Sequence, residues 1–184
     1  MDKTIIIDID DVLSDFKNII TKKLNNHVHK DLHWTGQYSY DIAGRYGITY
    51  EEFYDIIIKD KVLESVETVK YAKELLDVLK NDHTIVIVSS RSYHPHAYDV
   101  TSEWLKKYKL KYDHLHISGG AIKKSYFAQR YDNIVASIDD NVENCNDFLI
   151  NCNIDKIILM NQPWNINENK FYRIDSLKEV LNII

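Results

Sequence analysis

Apolar residues fall along this chain in two modes: short β-branched runs, and longer stretches with helical spacing. The runs at residues 4–9, 84–88, 134–138 and 156–160 are mostly apolar at successive positions, the pattern of strands buried on both faces. A shorter strand is predicted over 114–117. Between them, helices are predicted over 14–26, with Phe16, Ile19, Ile20 and Leu24 on one face, and over 50–59, opened by the capping-box spacing Thr49-Tyr50-Glu51-Glu52. Ser65 is read as the cap of a helix carrying Val66, Val69, Ala72, Leu75, Leu76 and Leu79. Further helices are predicted over 98–108, 123–130 and 142–152, and a terminal one after the capping box Ser176-Leu177-Lys178-Glu179. The stretch 27–47 reads as irregular and aromatic, with Trp34, Tyr38, Tyr40 and Tyr46.

Alternating strands and helices predict an α/β fold: a Rossmann-like, mainly parallel sheet flanked by helices. The helical stretch after the first strand breaks that alternation. It is read as a small helical cap, residues 17–64, inserted into a core made of 1–16 and 65–184. A length of 184 residues suits one domain or a core with a modest insertion, and a hydrophobic share of 45% suffices for a core. With five Gly and two Pro, long loops are not expected. The net charge of -5 argues against a general nucleic-acid binder. Cys145 and Cys152, seven apart on one predicted helix, are too far apart to be bridged and are expected reduced. Residues 1–4 run directly into the first strand, leaving no room for a signal peptide, and no apolar run is long enough to span a membrane. A cytoplasmic protein without a membrane partner is expected, and a homodimer is compatible with a small α/β enzyme.

The polar residues that end the apolar runs carry the chemistry. Asp8, Asp10 and Asp11 end the first, Ser89-Ser90-Arg91 the second, and Asp139-Asp140-Asn141 the third. Parallel strands that all end in polar groups suggest one site at the carboxyl edge of the sheet. Crowded carboxylates repel one another and call for compensation, most simply by a divalent cation; the bland alternative is a loop capping the next helix. EF-hand spacing and its glycine are absent. A carboxylate can act as a nucleophile toward phosphorus, and a second can serve as acid and base. The Ser89 and Ser90 hydroxyls and local N–H groups suit a phosphate. Lys123 and Lys124 open a helix, against its dipole, where one of them would neutralise phosphate and carboxylates. Arg91 offers a fork to phosphate or a base edge, or else a strand-end salt bridge. Phe16 and Trp34 could stack on a nucleobase or form a small core. No histidine pair has a Cys or His partner at zinc-site spacing.

The segment Asp8-Ile9-Asp10-Asp11-Val12, followed by Ser89, Lys124 and Asp139-Asp140 in that order, resembles the four motifs of the haloacid dehalogenase-like (HAD) superfamily. The resemblance implies Asp8 as nucleophile and Asp10 as acid/base. It assigns Lys124 to the third motif, with Lys123 the fallback. Mg²⁺ would be held by Asp8, the Asp10 carbonyl and Asp140, with Asp139 acting mainly through water. Within the superfamily the layout is similar to the 5′(3′)-deoxyribonucleotidase group and its phage and bacterial relatives. The helical insertion, the Ser89-Ser90 pair and the tail Met160-Asn161-Gln162-Pro163-Trp164-Asn165 carry that likeness. Glu64-Ser65-Val66-Glu67 and Ser90-Arg91 depart from it. The implied function is a Mg²⁺-dependent phosphatase for a nucleoside monophosphate, a deoxyribonucleotide foremost, acting through an aspartyl phosphate. Ser89-Ser90-Arg91 with Trp104 also resembles the 3′-phosphatase part of polynucleotide kinases, which implies nucleic-acid ends as an alternative substrate. A non-catalytic module binding metal or a phosphoryl ligand is the alternative of another class.

Overall fold

The computed structural model describes residues 3–184. Met1 and Asp2, the start of the segment expected to lead into the first strand, lie outside the described residues. Six strands form one sheet: β1 (Lys3–Ile7), β2 (His83–Ser89), β3 (His114–Ile117), β4 (Ile134–Asp139), β5 (Ile154–Met160) and β6 (Tyr172–Ile174). Their order is β3-β2-β1-β4-β5-β6, and every neighbouring pair is parallel. The chain builds outward from β1 first to one side, then to the other. The carboxyl ends of β1, β2 and β4 therefore flank the point where strand order reverses, the usual place for a site in an open α/β sheet.

The β-branched runs form central strands because both faces are covered. Ile5 and Ile7 of β1 pack with Ile85 and Ile87 of β2 into one cluster, and Ile6 packs with Val86 and Val88 into the cluster on the other face. In β4 the parity changes partway: Ile134 faces with Ile6, whereas Ala136 and Ile138 face with Ile5 and Ile7. A register shift against Thr4/Ile5 accounts for the switch, since the pairs Thr4↔Ile134 and Ile5↔Ala136 skip Val135.

The helices are α1 (Phe16–Val28), α2 (Ile42–Tyr46), α3 (Tyr50–Lys59), α4 (Val62–Ser65), α5 (Ala72–Leu79), α6 (Ala97–Lys107), α7 (Lys124–Ala128) and α8 (Val142–Asn151). Leu75, Leu76 and Leu79 of α5, with Trp104 and Leu105 of α6, cover one face of the sheet. Ala128 of α7, with Cys145 and Phe148 of α8, covers the other. A third cluster, including Ile20, Leu24, Tyr46, Phe53, Ile57 and Leu63, is made by α1 to α4. Trp104 is fully buried, and its Nε1 donates to the Val66 carbonyl at 2.8 Å.

Several expectations are corrected. Ser65 does not open a long helix; it ends α4, its hydroxyl donating to the Lys61 carbonyl at 2.7 Å. The backbone that follows bonds to the chain after β1 instead of to itself: Asp15 N–H donates to Glu67 O and Val69 N–H to Leu13 O. Helix α5 therefore starts only at Ala72. The stretch 27–47 is not wholly irregular. It holds a 3₁₀ turn at Trp34–Gly36 and α2, which is capped by Asp41 and stopped by Gly47 at φ 71. Helix α1 begins at Phe16, since Ser14 is engaged in bridges to Asp10 and Thr68. The terminal element is a 3₁₀ helix, Leu177–Asn182, opened by the expected Ser176/Glu179 box. Strand β6 was not anticipated, being three residues long with Tyr172 exposed. Cys145 lies buried in α8 and Cys152 just past its end, both free. No helix among the described residues is long and apolar enough to cross a membrane.

Candidate active site

Asp8 follows β1 directly, its N–H donating to Ile138 O of β4 at 3.0 Å. This ties the carboxyl ends of the two strands together. Asp139 ends β4 and Asp140 follows it. Lys124, the first residue of α7, reaches across to both: its Nζ lies 2.7 Å from Asp8 Oδ1 and 2.7 Å from Asp139 Oδ2. All four side chains are buried. Lys123 points away, 73% exposed, toward Asp147 at 3.8 Å, so of the two lysines only Lys124 enters the site.

Asp139 also accepts from the Asn141 N–H at 2.9 Å and from Asn144 Nδ2 at 3.1 and 3.2 Å, which leaves its oxygens largely engaged by the chain. Asp140 is less satisfied. Oδ2 accepts from Trp164 Nε1 at 2.9 Å, while Oδ1 is buried without a hydrogen-bond partner. One oxygen each from Asp8, Asp139 and Asp140 lie within 4.8 Å of one another, the only such group of metal-ligating side chains among the described residues. Three carboxylates against one ammonium leave a negative excess that burial makes costly. Burial pushes Asp8 up to about 7, with Asp139 and Asp10 adding to the shift and Lys124 opposing it. Burial, then Asp139, Asp11 and Asp8, hold Asp140 well above the carboxylate range. Burial works against the Lys124 charge, but Asp139 and Asp8 outweigh it and raise its pKa. An all-oxygen donor set with a buried unpartnered oxygen and excess negative charge fits a hard divalent cation.

Asp10 stands apart from this cluster. Arg91 Nε and Nη2 donate to its two oxygens at 2.9 and 2.6 Å, and Ser14 Oγ donates to Oδ1 at 3.1 Å. Arg91 is itself fully buried, its Nη1 bonded to Thr101 Oγ1 at 3.3 Å and its guanidinium 5.8 Å from the Trp104 ring. Of the roles open to Arg91 in the sequence, phosphate or base contact or a strand-end salt bridge, the structure shows the salt bridge. Its fork is closed on Asp10, and the packing of α6 seals it in. Asp11, at φ 59, plays the capping part: its Oδ1 accepts the Lys17 N–H at 2.8 Å at the start of α1, and burial pushes its carboxyl up to about 7.

Ser89 is fully buried at the end of β2, its hydroxyl without a partner, and Ser90 Oγ lies 3.0 Å from Ser118 Oγ. Asp10 and Ser90 open onto a cavity of about 220 Å³. Its other walls include Phe16, Gln37, Phe53, Tyr54, Tyr93 and Trp164. Tyr54 and Tyr93 stack at 4.4 Å with planes 5° apart. Phe16 thus lines the cavity beside Asp10. Trp34 does not. It lines a different cavity, past Asp11, and Lys17 Nζ covers its ring at 5.2 Å. Nothing in the local sequence distinguishes the two aromatics, because the turn at Trp34–Gly36 decides which way the ring faces.

Trp164, Gln162 and Asn165 were missed as site-forming residues. Gln162 Nε2 donates to Asp11 O at 3.0 Å, and Asn165 Nδ2 to Asp140 O at 2.8 Å. They follow β5, and the rule that flagged the ends of β1, β2 and β4 applies there too. Tyr93, two residues past Arg91, and the tyrosines of the insertion carried no such signal.

A parallel 3-2-1-4-5-6 sheet with this set of strand-end carboxylates and one buried lysine defines a HAD-like hydrolase. Solved structures share this fold. A HAD-like family hydrolase, SP0104 of Streptococcus pneumoniae, aligns over 98% of this chain and 97% of its own at TM-score 0.68 and 11% identity. The HAD-type protein YfnB of Bacillus subtilis, solved bound to magnesium, aligns over 98% and 97% at TM-score 0.62 and 15% identity. The chain belongs to the 5′ nucleotidase, deoxy (pyrimidine), cytosolic type C (NT5C) family, whose profile matches residues 2–184. YqfW of Bacillus subtilis strain 168, which carries a provisional nucleotidase name, is 28% identical over 161 residues, 86% of this chain and 80% of its own. The protein is a phosphoric monoester hydrolase of the HAD-like nucleotidase type.

Arg91→Lys is expected to lower kcat by about tenfold, since an ammonium keeps the charge but not the two parallel bonds that orient Asp10. Steady-state kinetics check this. A wild-type kcat in the variant would show that Asp10 needs no fork.

Proposed function

We propose that this nucleotidase hydrolyses a deoxyribonucleoside monophosphate, depends on Mg²⁺, and works through an aspartyl phosphate on Asp8. Residues 17–64 act in this reading as a cap on the α/β core, enclosing the base and sugar. The observation that carries the reading is the Asp8–Lys124–Asp139 chain of contacts beside an aromatic cavity that opens on Asp10.

Lys124, Ser89 and Ser90 bind the phosphoryl oxygens and hold phosphorus in line with an Asp8 oxygen. That oxygen forms the new P–O bond while the bond to the ribose oxygen breaks. Asp10, oriented by Arg91 and Ser14, gives its proton to the departing oxygen. Asp10 then takes a proton from the water that attacks the aspartyl phosphate, which releases inorganic phosphate and restores Asp8. Asp8, the Asp10 carbonyl and Asp140 would hold Mg²⁺, with Asp139 beside them, and the ion would supply positive charge against the phosphoryl oxygens. The side chains of Phe16, Tyr54 and Tyr93 offer flat apolar surface to a base.

A mononucleotide is favoured over a nucleic-acid end by the charge around the mouth. The open groove beyond Tyr40 and Trp164 is lined by Asp41, Glu143 and Glu168, which repel a polyphosphate backbone. Phosphate release should be measured on ribo- and deoxynucleoside 5′- and 3′-monophosphates, sugar phosphates and 3′-phosphorylated oligonucleotides. A deoxynucleoside monophosphate is expected to be the best substrate. Chelation of divalent metal is expected to remove nearly all activity, and saturating Mg²⁺ to raise Tm, by about 2.7 kcal/mol of stability at a hundred times Kd. Full activity in chelator would overturn the metal dependence, and release confined to oligonucleotide ends would move the enzyme to end repair.

A further inference from the structure

One polar group in the aromatic cavity has no task in the reaction above. Gln37 follows the Trp34–Gly36 turn, with its backbone N–H bound to Trp34 O at 2.9 Å. Its side chain turns inward and is 6% exposed. It lines the same cavity as Asp10 and Ser90, and its Oε1 is buried without a hydrogen-bond partner. The cavity walls are mostly apolar or aromatic, with Ile20, Ile42, Phe53, Phe16 and the Tyr54–Tyr93 stack; Asp11 and Lys17, paired with each other, are the charged groups there besides Asp10. Buried amides in folded proteins are almost always hydrogen-bonded, because an unmet one costs the full desolvation of the group. The chain supplies no partner for this oxygen, which faces the cavity and is free to meet a ligand there.

We infer that Gln37 reads the edge of the substrate's base, and so is a specificity-determining residue. The inference rests on the nucleotide reading. A primary amide presents an acceptor and a donor side by side. Its complement is a ring edge with the same two features, such as the N–H next to a carbonyl of a lactam, or the ring nitrogen next to an exocyclic amine. Nucleobases have such edges; the sugar and phosphate do not. Flat aromatic walls hold the ring, and one amide among them fixes its orientation, the usual division of labour in a ligand pocket. Rejection of esters without a base follows, since they would leave the amide buried and unmet.

The test compares wild type with Gln37→Met, which keeps side-chain length and removes the amide. kcat/KM is measured on the preferred deoxynucleoside monophosphate with each of four bases, and on 2-deoxyribose phosphate, which lacks a base. In the variant, the ratio of nucleotide to base-free ester is expected to fall by about tenfold, mainly through KM of the nucleotide. Tm is expected to equal or exceed that of wild type, since no internal hydrogen bond is lost. Gln37→Glu, which accepts but cannot donate, is expected to change the order of preference among the four bases. An unchanged ratio, an unchanged base order, or a lowered Tm in Gln37→Met would overturn the assignment, the last because the amide would then serve the fold. A wild-type enzyme that does not prefer nucleotides to the base-free ester would overturn the nucleotide reading itself, a result distinct from an intact preference that survives Gln37→Met.

Discussion

Asp8→Asn is expected to lower kcat by about 10³-fold or more, roughly 4 kcal/mol of barrier, while the protein stays folded. The amide matches the carboxylate in shape but cannot form the acyl phosphate of the proposed mechanism, which would lose its covalent route. Stability should change little for two reasons visible in the site. Burial already pushes the Asp8 carboxyl up to about 7, so a neutral group there removes a disfavoured charge. Lys124 keeps its 2.7 Å contact to Asp139 when Asp8 is neutralised. Single-turnover kinetics with a melting curve on the same preparation separate the two effects. Ordinary turnover in a folded Asp8→Asn protein would sink the covalent mechanism.

Lys124→Met should damage both activity and fold. The ammonium is buried between Asp8 and Asp139, and its removal leaves those carboxylates and Asp140 facing one another without a cation from the chain. Breaking a buried pair from one side costs about 3–5 kcal/mol. Loss of a donor to the phosphoryl oxygens costs a further ~10²-fold or more in kcat. The stability deficit has a definite pH dependence. Asp8 and Asp140 already have folded pKa values raised above their ordinary ones, and without Lys124 they rise further. A carboxyl with a raised folded pKa destabilises the fold fully above that pKa, and the penalty shrinks as pH falls from it toward the ordinary value. The difference in Tm between variant and wild type is therefore expected to shrink from pH 8 toward pH 5, with no recovery of activity. A deficit that grows on acidification, or kcat within a few-fold of wild type, would place Lys124 outside the site.

Much of this was legible in the sequence, for a physical reason. A strand covered on both faces is apolar at nearly every position, so the runs that became β1, β2, β4 and β5 stand out, and so does the sudden change to Asp or Ser where β1, β2 and β4 leave the core. The lysine was legible because a cation at a helix start is out of place unless something else holds it. What could not be read is which partner a polar side chain selects once packed. Arg91 had phosphate, base and salt bridge open to it; only the approach of α6, with Thr101 and Trp104, closes it onto Asp10. The start of α5 was misjudged because the hydrogen bonds that hold residues 66–69 extended come from Leu13 and Asp15, distant in sequence. Gln37 offers no signal at all in a polar, aromatic loop; its burial comes from helices on either side of it.

The strand order also has a consequence in time. β1 is central in the sheet, yet it is made first. Eighty residues separate Lys3 from its neighbour His83 in β2, and Ile134 of β4 lies farther on still. At a synthesis rate of about 5–20 residues per second, the isoleucines of β1 wait roughly 4–16 seconds for a first neighbour to be translated. The residues that emerge meanwhile are those of α1 to α4, which supply the buried members of one cluster, with Tyr93 and Val100 joining it only after β2. On the ribosome, α1 to α4 are therefore the first elements this chain can bring together. The sheet, and with it the chemistry at its carboxyl edge, closes only after β4 has arrived.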